Sequence, residues 1–302
     1  MAKTTHPPTP TALTPIRTRE GRGVAVDLGA ALLLASGPMW AMHEPALNAL
    51  MLDGRFGSLS ASGRSLFEAD AGEMPNPCEP TLHGKVAVID VTGPITPGAA
   101  MLRSFGMAAV SLDDIARGLQ EAGEDPMADS VMLRINSPGG SIAGISDFMG
   151  LLEAVKRVKP VVAAMGGSAA SLAAWIAGGC TAAHASPETI GGSIGVFAVV
   201  GDSTEMFKEM GVKRMVIGSG PYKGSGIAGV PVTEEQVNEI QRSVDAINEL
   251  FIEGIAEGRG MSTEQVRALA TGATIIGKDL VTDGLADSVA TPRVVLEAMS
   301  AE

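Results

Sequence analysis

The stretch that most constrains this chain runs from the apolar residues 160–165 into Gly166-Gly167-Ser168-Ala169-Ala170-Ser171-Leu172-Ala173-Ala174-Trp175. It reads as a buried strand, a turn of small residues, and a helix that begins at Ser171. Two similar units precede it. Residues 85–91 form a β-branched run that stops at Gly93-Pro94, and a helix opens at Ser111-Leu112-Asp113-Asp114. Residues 130–135 form a second run, followed by Asn136-Ser137-Pro138-Gly139-Gly140-Ser141 and a helix over 141–158 with Ile142, Ile145, Phe148, Leu152 and Val155 on one face. The order β-α-β-α-β-α with right-handed crossovers implies an α/β protein whose mostly parallel sheet is covered by helices.

Composition agrees with that architecture. Hydrophobic residues make up 45% but aromatics only 3%, and 38 glycines are present. The core is therefore built from close-packed Ala, Val, Ile, Leu and Met. The net charge of −12 argues against a phosphate backbone as partner. Cys78 and Cys180 stand far apart with no Cys-x-x-Cys or Cys/His cluster, so neither a metal site nor a disulfide framework is expected, no cofactor is called for, and a reducing compartment fits. The apolar part of residues 17–38 is shorter than the about 20 residues a membrane span requires, and Asp27 interrupts it. No membrane span is expected.

Three parts are expected along the chain. Residues 1–22, with four prolines among threonines, read as a disordered arm. Residues 23–84 read as an N-terminal helix near residues 40–52 followed by a Gly/Ser/Pro-rich linker, and residues 85–302 as the functional domain. Within that domain, strands are expected at 181–185, after Gly191-Gly192-Ser193, and at 214–217. Helices are expected at 203–210, after the capping box Thr233-Glu234-Glu235-Gln236, and after Ser262-Thr263-Glu264-Gln265. The long helix carries Val237, Ile240, Val244, Ile247, Phe251 and Ile255 at spacings of three and four. That stripe reads as core first, as a subunit contact second.

The small-residue turns also suggest chemistry. Ser171 at a helix start is suited to be a nucleophile, although serine there also serves as an ordinary N-cap. Gly139 and Gly140 offer backbone N–H groups to the same cleft, and the Leu172 amide offers a second donor for an oxyanion. Ser168 is a weaker nucleophile candidate. Of the four histidines, His6, His43 and His83 precede the core, and nothing returns His184 to the start of the Ser171 helix. A Ser-His-Asp triad is thus disfavoured. Lys223, flanked by glycines in the 218–230 loop, is the lysine with a route to Ser171, and a lysine screened from water can serve as a base.

The combination of 134–141, Met165-Gly166-Gly167-Ser168-Ala169-Ala170-Ser171, 187–196, Lys223, Gly258-Arg259-Gly260-Met261 and Gly284-Leu285-Ala286-Asp287 resembles the signal peptide peptidase A (SppA) type of serine peptidase. The likeness covers about 85–290. It implies the Clp protease/crotonase-like fold with repeated β-β-α units, Ser171 as nucleophile, Lys223 as general base, the Gly139 and Leu172 amides as oxyanion donors, and a homo-oligomer in which sites can be shared between subunits. The family's serine is usually followed by glycines and aromatics, and Leu172-Ala173-Ala174-Trp175 departs from that pattern at the substrate pocket. With Trp40-Ala41-Met42-His43-Glu44-Pro45-Ala46-Leu47 upstream, the chain is similar to the capsid assembly proteases of tailed phages. The branch implies protein substrates such as scaffold, portal or major capsid protein, and a place in the bacterial host cytoplasm or inside a phage prohead. Rival readings are a signal-peptide-degrading peptidase, an inactive capsid scaffold component, and a crotonase-like acyl-CoA enzyme, for which no pair of carboxylates stands out.

Overall fold

The computed structural model describes residues 75–104 and 106–301, together with the backbone of residues 40–42. The expected disordered arm, and most of the expected N-terminal helix and linker, lie outside the described residues. Trp40–Met42 is a strand, β1, where a helix was expected to begin.

The sheet is built as the apolar runs imply. Strands β2 (Thr81–His83), β3 (Val86–Thr92), β4 (Ser130–Ser137), β6 (Val161–Ala170), β7 (Ala182–Ala185) and β10 (Ser288–Val289) lie in the order β10-β7-β6-β4-β3-β2. All neighbours are parallel except the β2–β3 pair. Val86, Ala87, Val88 and Ile89 are all buried, as expected of a parallel strand covered on both faces. The sheet starts inside the stretch read as linker, because β2 completes its edge and Cys78, before it, is already fully buried.

Helices α1 (Ala99–Ser104), α2 (Leu112–Glu124), α3 (Ile145–Lys156) and α4 (Leu172–Gly178) connect these strands. Ser111 and Asp114 form a complete capping box at the start of α2. The main core joins Ile115, Leu119, Leu152 and Ile176 of the helices to Ile89, Leu133 and Ala163 of the sheet. A smaller core on the opposite face joins Val86, Val88, Met132 and Ala164 to Val295 of α9 (Pro292–Met299).

The remaining elements are the short strands β5 (Gly139–Ser141), β8 (Ile190–Gly192) and β9 (Thr274–Ile276), and helices α5 (Thr204–Glu209), α6 (Glu234–Arg259), α7 (Thr263–Leu269) and α8 (Lys278–Thr282). No strand forms at 214–217, where one was expected. Met215 is 75% exposed and Ile217 99%, so that segment has no neighbouring strand or core to pair with. The stripe of α6 divides likewise. Phe251, Ile252, Ile255 and Ala256 are buried, while Val237 is 49% exposed and no residue of the first half is buried. The core reading therefore holds only for the last two turns.

Candidate active site

The site begins with an irregularity between β4 and β6. Their register passes from Ile135 opposite Met165 to Ser137 opposite Ala169, so β6 carries two extra residues there. Gly166 and Gly167 fill the excursion. Gly167 has φ +78°, and a Cβ on it would come within 2.7 Å of Asn136 Oδ1. The Asn136 side chain accepts a hydrogen bond from the Ser168 N–H at 3.0 Å and ties the two small-residue motifs together. Thr189 Oγ1 donates to the Met165 carbonyl at 2.8 Å and fills the gap from the other side. Past the excursion, β8 pairs in parallel with the end of β6.

Ser171 follows directly, between the last residue of β6 and the first of α4. Its φ of +55° and ψ of −122° lie in a region costly for any residue with a side chain. Ser171 N–H donates to the Gly192 carbonyl at 2.7 Å, which holds the turn in place. The side chain does not cap the helix. Its Oγ is buried and has no hydrogen-bond partner, and the residue is 1% exposed. An ordinary N-cap serine has extended backbone and accepts from the helix N–H groups, as Ser111 and Ser262 do here. Ser171 does neither. The Leu172 N–H belongs to the first turn of α4, where no intrahelical acceptor exists.

The glycine turn lies alongside. Gly139 has φ +94°, and its N–H donates to Ser137 Oγ at 3.1 Å. Gly140 packs so closely that a Cβ would stand 1.8 Å from the Ile95 carbonyl oxygen, so no side chain fits there. Ile95 N–H donates to the Gly139 carbonyl at 2.9 Å, and the Ile95 carbonyl accepts from Ser141 N–H at 2.8 Å.

Lys223 is in a different setting. It is exposed in the loop before α6, and the Ser171 hydroxyl takes no hydrogen bond from it. The segment around it is internally organised. The Arg214 guanidinium sits 5.3 Å from the Phe207 ring centroid and donates to the Ala228 carbonyl, while Ser203 Oγ accepts from Gly229 N–H. His184 is in β7, with Nδ1 2.9 Å from Ser288 Oγ. Ser168 is a residue of β6, three positions short of the turn.

Trp175, which marked the departure in the expected pocket, is packed inward. Its ring stacks on Phe251 of α6 at 4.9 Å and 11°. It thereby joins the Ser171 helix to the buried end of α6. Ser193 was not singled out as a site residue. It shares the left-handed backbone, with φ +50°, and follows Gly192, whose carbonyl holds Ser171 N–H. These two serines are the only non-glycine residues with positive φ among the described residues, a backbone property that sequence pattern does not carry. Burial pushes the Cys78 and Cys180 thiols up to about 12, which leaves both as unreactive core residues.

The sheet, its covering helices and the strand-to-helix turn define an α/β protein of the Clp protease/crotonase-like fold. The chain belongs to peptidase family S49, whose family model matches residues 153–302. That match contains Ser171 and Lys223 but begins after the Gly139-Gly140 turn. "Protease 4" of Salmonella typhi is 32% identical over 211 residues, which are 68% of this chain and 32% of that protein. "Head-tail preconnector protein GP5" of Enterobacteria phage P21 is 28% identical over 215 residues, 71% of this chain and 42% of that one. "Capsid assembly protease C" of Escherichia phage lambda is 26% identical over 205 residues, 68% and 46% of the two chains. The chain thus spans less than half the length of each of these three relatives. No helix among the described residues is long and apolar enough to cross a membrane.

Proposed function

We propose that the protein is a serine endopeptidase that hydrolyses peptide bonds through an acyl-enzyme, with Ser171 as nucleophile and Lys223 as general base. The observation that carries this reading is the state of Ser171. Its backbone is strained, and its hydroxyl is buried without a partner at the mouth of a strand-to-helix turn. Strain of this kind costs on the order of 1–3 kcal/mol and is retained at functional sites. An N-cap role is served without it.

In the proposed reaction Ser171 Oγ adds to the substrate carbonyl as the Lys223 amine takes its proton. The oxyanion is met by the Leu172 N–H and by the glycine turn, where Gly139 exchanges the Ser137 hydroxyl for the oxyanion or Gly140 supplies the donor. The leaving amine receives the proton, and water then hydrolyses the ester. An extended substrate would pair along β5.

Lys223 reaches a serine through association of chains in this proposal. Val199, Met206, Met210, Met215, Ile217 and Val237 are exposed on the same segment, an apolar surface suited to a second copy. A homo-oligomer formed through it would bring the lysine of one copy to the serine of another.

The phage relatives support a role in cutting scaffold, portal or major capsid protein during head assembly, within the host cytoplasm or the prohead. The higher identity to Protease 4 favours a second reading, a bacterial peptidase that degrades signal peptides. An unfolded protein pool incubated with wild type, Ser171→Ala or Lys223→Ala, with new N-termini mapped by mass spectrometry, tests the reading. New termini are expected with wild type alone; cleavage by Ser171→Ala would remove the nucleophile assignment.

A further inference from the structure

The proposed oxyanion turn follows the end of β4 and the proposed nucleophile follows the end of β6, and the ladder between these strands is interrupted just before both. Between the pairs Ile135 opposite Met165 and Ser137 opposite Ala169, β4 has one residue, Asn136, where β6 has three, Gly166, Gly167 and Ser168. The Asn136 carbonyl accepts from Gly93 N–H at 3.0 Å, so the main chain of that residue serves the β3 side. Its side chain supplies an acceptor on the β6 side, and takes the Ser168 N–H at 3.0 Å. This bond lies three residues before Gly139 on one strand and three before Ser171 on the other. Beyond it only Ser137 opposite Ala169 remains of the β4–β6 pairing, because β5 pairs with β1, Ala41 opposite Gly140, and not with the main sheet.

We infer that Asn136 is a positioning residue for the reaction: its side-chain oxygen, held by Ser168 N–H, sets the separation of Ser171 Oγ from the donors of the glycine turn. The inference rests on the peptidase reading above. Packing does not account for the side chain, since Asn136 is exposed. Gly167 leaves the room that it occupies, because a Cβ there would stand 2.7 Å from Oδ1. Without the bond, the extra residues of β6 lose their tie to β4, and Ser171 shifts relative to the turn. The turn donors act on charge that develops only in the transition state, so the loss falls on kcat and spares KM. A misplacement of about 1 Å costs up to about a hundredfold in rate.

Steady-state cleavage of casein, thermal unfolding and residue-resolved amide exchange of the full chain test this. Asn136→Leu keeps the shape of the side chain without the acceptor, and Asn136→Asp keeps the acceptor. Asn136→Leu is expected to lose roughly tenfold to a hundredfold in kcat with KM within about twofold of wild type. It is expected to keep the wild-type unfolding midpoint and to exchange Ser168 N–H faster. Asn136→Asp is expected to recover most of the lost kcat and the wild-type exchange at Ser168. A Leu variant as active as wild type, or an Asp variant as impaired as Leu, would overturn the positioning role and leave the peptidase reading standing. So would a rise in KM alone, which marks a substrate contact, or a drop in unfolding midpoint that accounts for the lost activity. Unchanged Ser168 exchange in the Leu variant would overturn the hydrogen bond itself. Wild type that leaves casein intact would overturn the peptidase reading and the positioning that rests on it.

Discussion

The two halves of the proposed dyad stand in opposite physical settings. Ser171 is locked between β6 and α4 under a core in which Leu172, Ala173 and Ile176 are fully buried. Lys223 sits on a segment where Met215 and Ile217 face outward and the first half of α6 buries nothing. One region stores strain because close packing fixes every neighbour of the turn. The other is ordered by local contacts and lacks a covering layer. Helix α6 spans both, since its last turns hold Trp175 while its first follow the Lys223 loop. The contrast teaches that the packed half is finished within one chain, whereas in the proposal above the basic half is completed by a second copy.

The contrast breaks most visibly if the two halves can be supplied by different chains. Ser171→Ala and Lys223→Ala are each expected to lose about a thousandfold or more of casein cleavage. Mixed and reassembled, they are expected to regain readily measurable activity, because some neighbouring pairs then hold one intact serine and one intact lysine. A mixture as inactive as its parts would place both groups in one chain.

Charging the exposed segment comes next. Met215→Lys with Ile217→Lys is expected to shift the protein to a smaller species in sedimentation and to lower cleavage. Because both sites are exposed, each is expected to change unfolding free energy by less than about 0.5 kcal/mol in a denaturant titration. A loss of fold would mean that the segment is part of the core.

Relief of strain sharpens the other side. Ser171→Gly is expected to abolish cleavage yet stabilise the fold by about 1 kcal/mol, read as a higher denaturation midpoint, since glycine accepts φ +55° without penalty. Destabilisation would show that the serine side chain is needed for packing.

The smallest effect concerns the anchor of the packed half. Arg259 donates through both terminal nitrogens to Asp287, whose carboxylate also accepts from Ala183 N–H. The Arg259 hydrogen bond is the main reason the Asp287 carboxyl is held below its usual range. A depressed folded value means that the contribution is present above the unfolded value of about 3.9 and is lost as pH falls through the folded one. Asp287→Asn is therefore expected to flatten the acid side of the stability profile slightly. An unchanged profile would mean that the pair contributes nothing there.

Much of the packed half was legible in the sequence. The apolar runs, capping boxes and small-residue turns located the parallel sheet, the helix starts and Ser171, because each is a local preference. The positive φ of Ser171 and Ser193 was not legible, since neither serine advertises it and tertiary packing imposes it. Residues 214–217 have β-forming composition but no partner strand, so local propensity misled there. The stripe of α6 has one uniform period, and only the fold shows where its burial stops. The segment at 40–42 was read as helix because its pairing with β5 is a long-range contact.

Reaction of the wild-type protein with a fluorophosphonate, followed by mass-spectrometric mapping of the adduct, tests the central claim most directly. Phosphonylation at Ser171, sharply reduced in Lys223→Ala, is expected from a strained, buried nucleophile served by a lysine base. Modification at Ser168 or Ser193 instead, or equal labelling of Ser171 without Lys223, would contradict the account.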